Sequence, residues 1–250
     1  MSGSRRRDRT RSAGASGGRL LSNPLKSNTI GALARQAAAI AAAGLCVFVA
    51  AGPAAAQATP AASLADFQAA PASSDARQVA DWVVATGDNR SLPFVIVDKK
   101  ATEVFVFDGH GRLSGATPAL LGLARGDDSA PGIGDRKLSD IRPDERTTPA
   151  GRFVASLGYG LGQQDILWVD YKTALALHRV LAANSREHRL QRLAAASARD
   201  HRITFGCINV PVSFYDRIVQ PAFTGTSGVV YILPETKTIA DVFFRSAPPS

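Results

Sequence analysis

The chain has 250 residues, 45% of them hydrophobic and 20% charged, which is the balance of a globular protein rather than a disordered or collagen-like one. Its net charge of +8 is unevenly spread: eight basic residues and one acidic residue, Asp8, precede Gln57, so the remainder carries only +1. The basicity belongs to the leader, and a phosphate-tracking groove for nucleic acid is excluded as the main activity.

Residues 37–51 are apolar and uncharged, with a basic segment ahead and Pro53 and the small residues Ala54-Ala55-Ala56 behind. That order predicts a secretory signal peptide over 1–56, cleaved after Ala56. The run is shorter than the ~20 residues of a spanning helix, so no stable membrane insertion is expected after cleavage and the mature protein reads as periplasmic. Cys46 reads as a small hydrophobe within that run. A single cysteine, Cys207, then remains in the exported body, which excludes an intrachain disulfide there.

Residues 57–73, rich in Ala and Pro, read as a linker. Ser74-Asp75 caps a predicted helix with Val79, Trp82 and Val83 on one face, ending near Gly87. Strands are predicted over 93–97, 103–107 and 119–123, with a turn at Asp108-Gly109-His110-Gly111. Residues 126–149 form a long polar loop whose aspartates (Asp127, Asp128, Asp135, Asp140, Asp144) do not fit a calcium loop and read as solvated. Strands resume over 153–156, 166–171 and 174–178, placing Trp168 and Tyr171 on opposite faces. Residues 182–196 have helical composition, and Arg186, Arg189, Arg192 and Arg199 read as a solvated face. A helix over 212–219 and a buried strand over 228–233 complete a body, 74–250, of mostly-β class with short helices.

Cys207 follows a short strand and a glycine and precedes a predicted helix start. A helix N-terminus and a nearby imidazolium would both favour its thiolate; an inert buried thiol is the alternative reading. For a base, His178 stands as a polar head at the end of an apolar strand. His201, six residues before Cys207, is its rival, whereas His110 and His188 read as solvated.

The segment Thr204-Phe205-Gly206-Cys207-Ile208-Asn209 resembles the signature of the L,D-transpeptidases (YkuD-type domains), in which Ser/Thr-His-Gly-Cys is followed by an apolar residue and often Asn or Arg. Thr148-Pro149-Ala150-Gly151-Arg152-Phe153 is similar to the Thr-Pro-x-Gly-x-Phe segment of the same family, and the resemblance spans roughly residues 93–234. It implies a β-sandwich of mixed sheets with a cysteine at the mouth of a cleft under a lid. It also implies an exported acyltransferase that acts on peptidoglycan stem peptides through a thioester, with no metal or cofactor. By matched position Cys207 is the nucleophile and His178 the general base. Gly206 and the Cys207 amide fall at the oxyanion hole, while Thr204 and Asn209 take the family's Ser/Thr position and the position two after the cysteine. The chain departs from the pattern at Phe205, where the family has a second histidine, and at Arg179, where a small residue is common; both are carried as substrate-side positions. His178 and Cys207 are 29 residues apart, a long spacing that a helical insert over 182–196 would absorb. A cysteine hydrolase of the cell wall and a non-catalytic wall-binding module are the alternative readings.

Overall fold

The computed structural model describes residues 64–160 and 163–244. The expected signal peptide, with Cys46, the first part of the expected linker, and residues 161–162 and 245–250 lie outside the described residues. Helix α1 (Ser74–Thr86) is capped one residue earlier than expected: the Ser73 hydroxyl accepts from the Ala76 amide, and Gly87, in the left-handed region, ends it. Three strands follow, β1 (Phe94–Asp98), β2 (Glu103–Phe107) and β3 (Leu113–Pro118), and then a two-residue β4 (Leu121–Gly122). The expected strand over 119–123 is thus largely displaced to β3. Glycine and proline weaken β3's local preference, but pairing with β2 through a bulge holds it.

After the 126–149 loop come β5 (Gly151–Tyr159), β6 (Asp165–Asp170) and β7 (Leu175–Arg179). The expected 182–196 helix is reduced to the five-residue α2 (Arg189–Leu193). Asn184 caps a separate 3-10 turn, and His188 takes a positive φ of 49° that breaks any longer helix. Strands β8 (Arg202–Thr204) and β9 (Ile208–Val210) flank Cys207. The helix expected over 212–219 begins at α3 (Val212–Phe214), which runs through a π-helical stretch (Tyr215–Val219) into α4 (Gln220–Phe223), before β10 (Ser227–Ile232), and β9 separates it from Cys207.

Eight strands form one mixed sheet in the order β3-β2-β1-β10-β5-β6-β7-β9, and β4 pairs with β8 in a separate parallel ribbon. Leu120, just past β3, exchanges backbone hydrogen bonds of 2.8 and 2.9 Å with Asn209 in β9, so the two ends of the sheet meet in a near-barrel. Its inner core holds Val95, Val97, Val104, Leu167, Leu177, Ile208, Val230 and the helix residues Tyr215, Val219 and Phe223. On the outer face of β1, β2 and β10, α1 buries Val79, Ala80 and Val83 against Phe94, Ile96, Phe105 and Tyr231. Being covered on both sides, β1 is apolar at consecutive positions rather than alternating.

The expected linker is corrected over its second half. Phe67 is buried edge-on against Phe105 and Phe107 at 5.4 and 5.0 Å, and Asp66 bridges in backbone hydrogen bonds to Gly111 and Leu113. Burial of this one aromatic, about 1.5–3 kcal/mol, acts together with the Asp66 backbone bonds and with those from the Ala65 amide to Asp81 and from the Gln68 side-chain amide to the Leu113 carbonyl to dock an alanine-rich segment. Trp168 and Tyr171 also depart from expectation: the chain turns after Asp170, and the two rings stack at 4.7 Å.

Candidate active site

The turn between β8 and β9 carries Phe205, Gly206 and Cys207 into the wall of a cavity of about 90 Å³. Two threonines fix its shape. Thr204 Oγ1 donates to the Cys207 carbonyl at 2.7 Å and accepts from the Gly206 amide at 3.1 Å. Thr148 Oγ1 donates to the Gly206 carbonyl at 2.7 Å and accepts from the Gly122 amide at 2.9 Å. Gly206 has φ +133°, and a Cβ there would lie 2.8 Å from the Thr147 carbonyl oxygen, so only glycine fits without strain. Its N–H, expected from the sequence at the oxyanion hole, donates to Thr204 Oγ1.

The opposite wall of the cavity is the 126–149 loop, through Ile133, Gly134, Arg136, Leu138 and Ile141. This loop folds as three short 3-10 turns and is pinned at both ends. Far from being solvated, Asp127 is buried, and its carboxylate accepts from Lys99 Nζ at 2.7 Å and from the amides of Glu235, Thr236 and Lys237. Burial opposes ionisation, but the bonds from Lys99, Thr236 and the backbone outweigh it and hold the carboxyl far below the usual carboxylate range. Lys99 Nζ also donates to the carbonyls of Gly126 and Thr148, tying the loop to the threonine that braces Gly206. At the other end Phe205 lies beneath the Arg146 guanidinium, 4.0 Å from its ring centroid. Phe205, carried from the sequence as a substrate-side position, is therefore a hold on the loop.

The sulfur of Cys207 lies 3.6 Å from the Ala174 carbonyl oxygen. Burial pushes the thiol's pKa up, while hydrogen bonds from the backbone of Ala176 and of Cys207 itself and the charge of Arg189 act against the rise. No helix begins at Cys207, so the expected dipole contribution is absent; Arg189 and the backbone amides take that role.

His178 in β7 lies opposite Asn209 in β9, and Ile208 beside it points to the inner core, so His178 and Asn209 project from the outer face. Arg189 Nη1 donates to Asn209 Oδ1 at 2.8 Å, which turns the amide Nδ2 toward His178 Nε2 at 3.0 Å. Nδ2 can only donate, so Nε2 accepts and Nδ1 carries the proton, which it gives to the Arg179 carbonyl at 2.8 Å. Burial first, and then the charge of Arg189, push the imidazole's pKa down against the pull of that carbonyl. The site thus couples a neutral imidazole and a thiol through one cation, Arg189, which sequence reading left on a solvated helix face. Neither ring nitrogen is bonded to the thiol.

Other expected residues lie elsewhere. The Arg179 guanidinium is committed to Asp165 and Asp216 at 3.0 and 2.6 Å and lies over the Tyr215 ring. The rival base, His201, is buried between Thr102 Oγ1 at 2.6 Å and the Ala195 carbonyl at 3.1 Å, away from the cysteine cavity. Among the described residues no group of three or more His, Cys, Asp or Glu side chains gathers as a metal site, and no helix is long and apolar enough to cross a membrane.

No protein-family model matches the chain. No curated protein matches it. Among solved structures it is similar to an L,D-transpeptidase from Xylanimonas cellulosilytica, with 14% identity and a TM-score of 0.34 over 57% of this chain and 60% of that one. The helical cell shape determining protein Pgp2 from Campylobacter jejuni gives 14% identity and 0.37 over 59% and 49%. The catalytic domain of the Enterococcus faecium L,D-transpeptidase gives 16% identity and 0.30 over 57% and 98%. The first two matches thus span roughly half to three fifths of those proteins' chains.

Proposed function

We propose that the chain is an exported cysteine acyltransferase that acts on peptidoglycan stem peptides by L,D-transpeptidation. The observation that carries this reading is the placement of Cys207 in a cavity wall, on a glycine turn braced by Thr204 and Thr148, the two threonines of the motifs that resemble the transpeptidase family. A neutral imidazole and a guanidinium stand on the adjoining strand and insert, the chemistry a thiol nucleophile needs.

In this mechanism the Cys207 thiol gives its proton to His178 Nε2, whose lone pair is freed when Asn209 turns toward substrate. The sulfur attacks the donor-stem carbonyl. His178 returns the proton to the leaving amine, and a D-amino acid departs as the thioester forms. An acceptor amine then attacks the thioester carbonyl and loses a proton to His178, which passes it to the departing sulfur. The Cys207 amide, close to the sulfur, is the available oxyanion donor; one such donor contributes about 2.7–4 kcal/mol in a comparable acyl-transfer enzyme.

One observation favours the second reading, a non-catalytic wall-binding module: both nitrogens of His178 are engaged away from the thiol. Incubation with defined tetra- and pentapeptide stems separates the readings by product mass. Cross-linked dimers support transpeptidation, and clipped monomers point to a hydrolase. Unchanged stems, with binding retained, point to the module.

A further inference from the structure

Two adjoining clefts, apart from the thiol cavity, are lined by cations. The larger, about 620 Å³, is bounded by Leu123, Arg125, Arg192, Arg199, Asp200 and Arg202. The smaller, about 280 Å³, shares Arg125 and Arg202 and adds Lys99, Lys100 and Glu235. Guanidinium groups therefore converge from three stretches of chain: beyond β4, the insert around α2, and the start of β8. Because the chain from Gln57 onward carries a net charge of only +1, this is a local concentration of charge.

The four arginines differ in what they already hold. Arg202 is buried and neutralised by Glu235 at 2.6 Å. Arg192 is oriented by carbonyls, donating to Glu187 at 3.1 Å and to Asp200 at 2.9 Å, which leaves its charge without a carboxylate. Arg125 and Arg199 are exposed and have no side-chain hydrogen bond or ion pair among the described residues. Asp200 is the one carboxylate lining the larger cleft. Three guanidiniums against one carboxylate leave the cleft short of anionic charge. A carboxylate presents two oxygens in one plane to one guanidinium fork, whereas a phosphate presents tetrahedral oxygens and up to two charges to several forks around it.

We propose that this cleft binds a ligand bearing two or more phosphate groups, held chiefly by Arg125, Arg192 and Arg199. The site is separate from the thiol chemistry and does not rest on it. Arg202 does, however, open the strand that leads to Cys207, five residues away, within about 17 Å of extended chain.

The test is arginine-selective labelling of the full chain with phenylglyoxal, read residue by residue by mass spectrometry, with inorganic tripolyphosphate as the probe. The exposed Arg90 and Arg186, outside the cleft, serve as internal references. Saturating tripolyphosphate is expected to slow labelling of Arg125 and Arg199 at least fivefold with one shared half-saturation, leaving Arg90 and Arg186 unchanged. The R125A/R199A variant, whose lost side chains hold nothing in the fold, should keep the wild-type circular dichroism spectrum and raise the half-saturation read at Arg192 tenfold or more. Citrate should protect at least tenfold more weakly. Equal slowing at Arg90 and Arg186, equal protection by citrate, or an unchanged half-saturation in R125A/R199A each overturns the assignment.

Discussion

Replacing Asp127 by alanine removes the pin of the loop that faces Cys207. The substitution leaves Lys99, buried with no side-chain exposure, facing only two carbonyls and Glu235 at 3.9 Å, and it orphans the amides of Glu235, Thr236 and Lys237. Breaking a buried pair by deleting one partner costs about 3–5 kcal/mol, and each orphaned amide that finds no water adds about 1–3 kcal/mol. Against a total stability of about 5–15 kcal/mol, this is a large fraction. For a body of this size 1 kcal/mol moves the midpoint by about 2–4 °C, so Asp127→Ala should lower Tm by about 10–15 °C in thermal unfolding followed by circular dichroism. The Lys99→Met/Asp127→Ala double variant removes the stranded ammonium and should recover part of the loss. A midpoint within 3 °C of wild type, or a double variant worse than both single variants combined, would refute the claim that this pair anchors the loop.

Acid titration reads the same group. The Asp127 carboxyl is depressed in the folded state, so its stabilisation is present above its unfolded pKa of about 3.9 and is lost as pH falls toward the folded value. Denaturation midpoints should accordingly drop below about pH 4 in the wild type and much less in the Lys99→Met/Asp127→Ala variant. Gly206→Ala drives a Cβ to 2.8 Å from the Thr147 carbonyl in a backbone region costly to side chains, which predicts a loss of about 1–3 kcal/mol by urea unfolding and slower thiol alkylation. Arg189→Met removes the cation that favours the thiolate and should raise the Cys207 pKa, slowing iodoacetamide labelling about threefold or more at neutral pH; an unshifted pH–rate curve would show that Arg189 does not act on the sulfur.

The strongly patterned segments were legible from the sequence. The β-branched and aromatic runs of β1, β2 and β10 are buried on both faces, and a serine cap, read one residue late, with Gly87 brackets α1, so local preference and tertiary packing agree there. β3 was not, because Gly115 and Pro118 speak against a strand that only pairing with β2 enforces. The cysteine and both threonine-bearing motifs could be read because each is contiguous. Arg189 and Asp127 could not: one sits in an arginine-rich insert that looks solvated, and the other is one of five aspartates in a polar loop. Their partners lie 20 residues away at Asn209, and 28 and about 109 residues away at Lys99 and Thr236, so only the folded chain brings them together.

The Cys207 sulfur is expected to form a thioester with a donor stem. Incubation with a tetrapeptide stem, acid quench and peptide mapping should find the Cys207 peptide heavier by the donor acyl group, with an equivalent of free D-amino acid. The adduct should be absent from a folded Cys207→Ala variant and retained in His201→Ala. A wild-type protein that binds the stem yet releases no D-amino acid and carries no added mass at Cys207 would contradict the account.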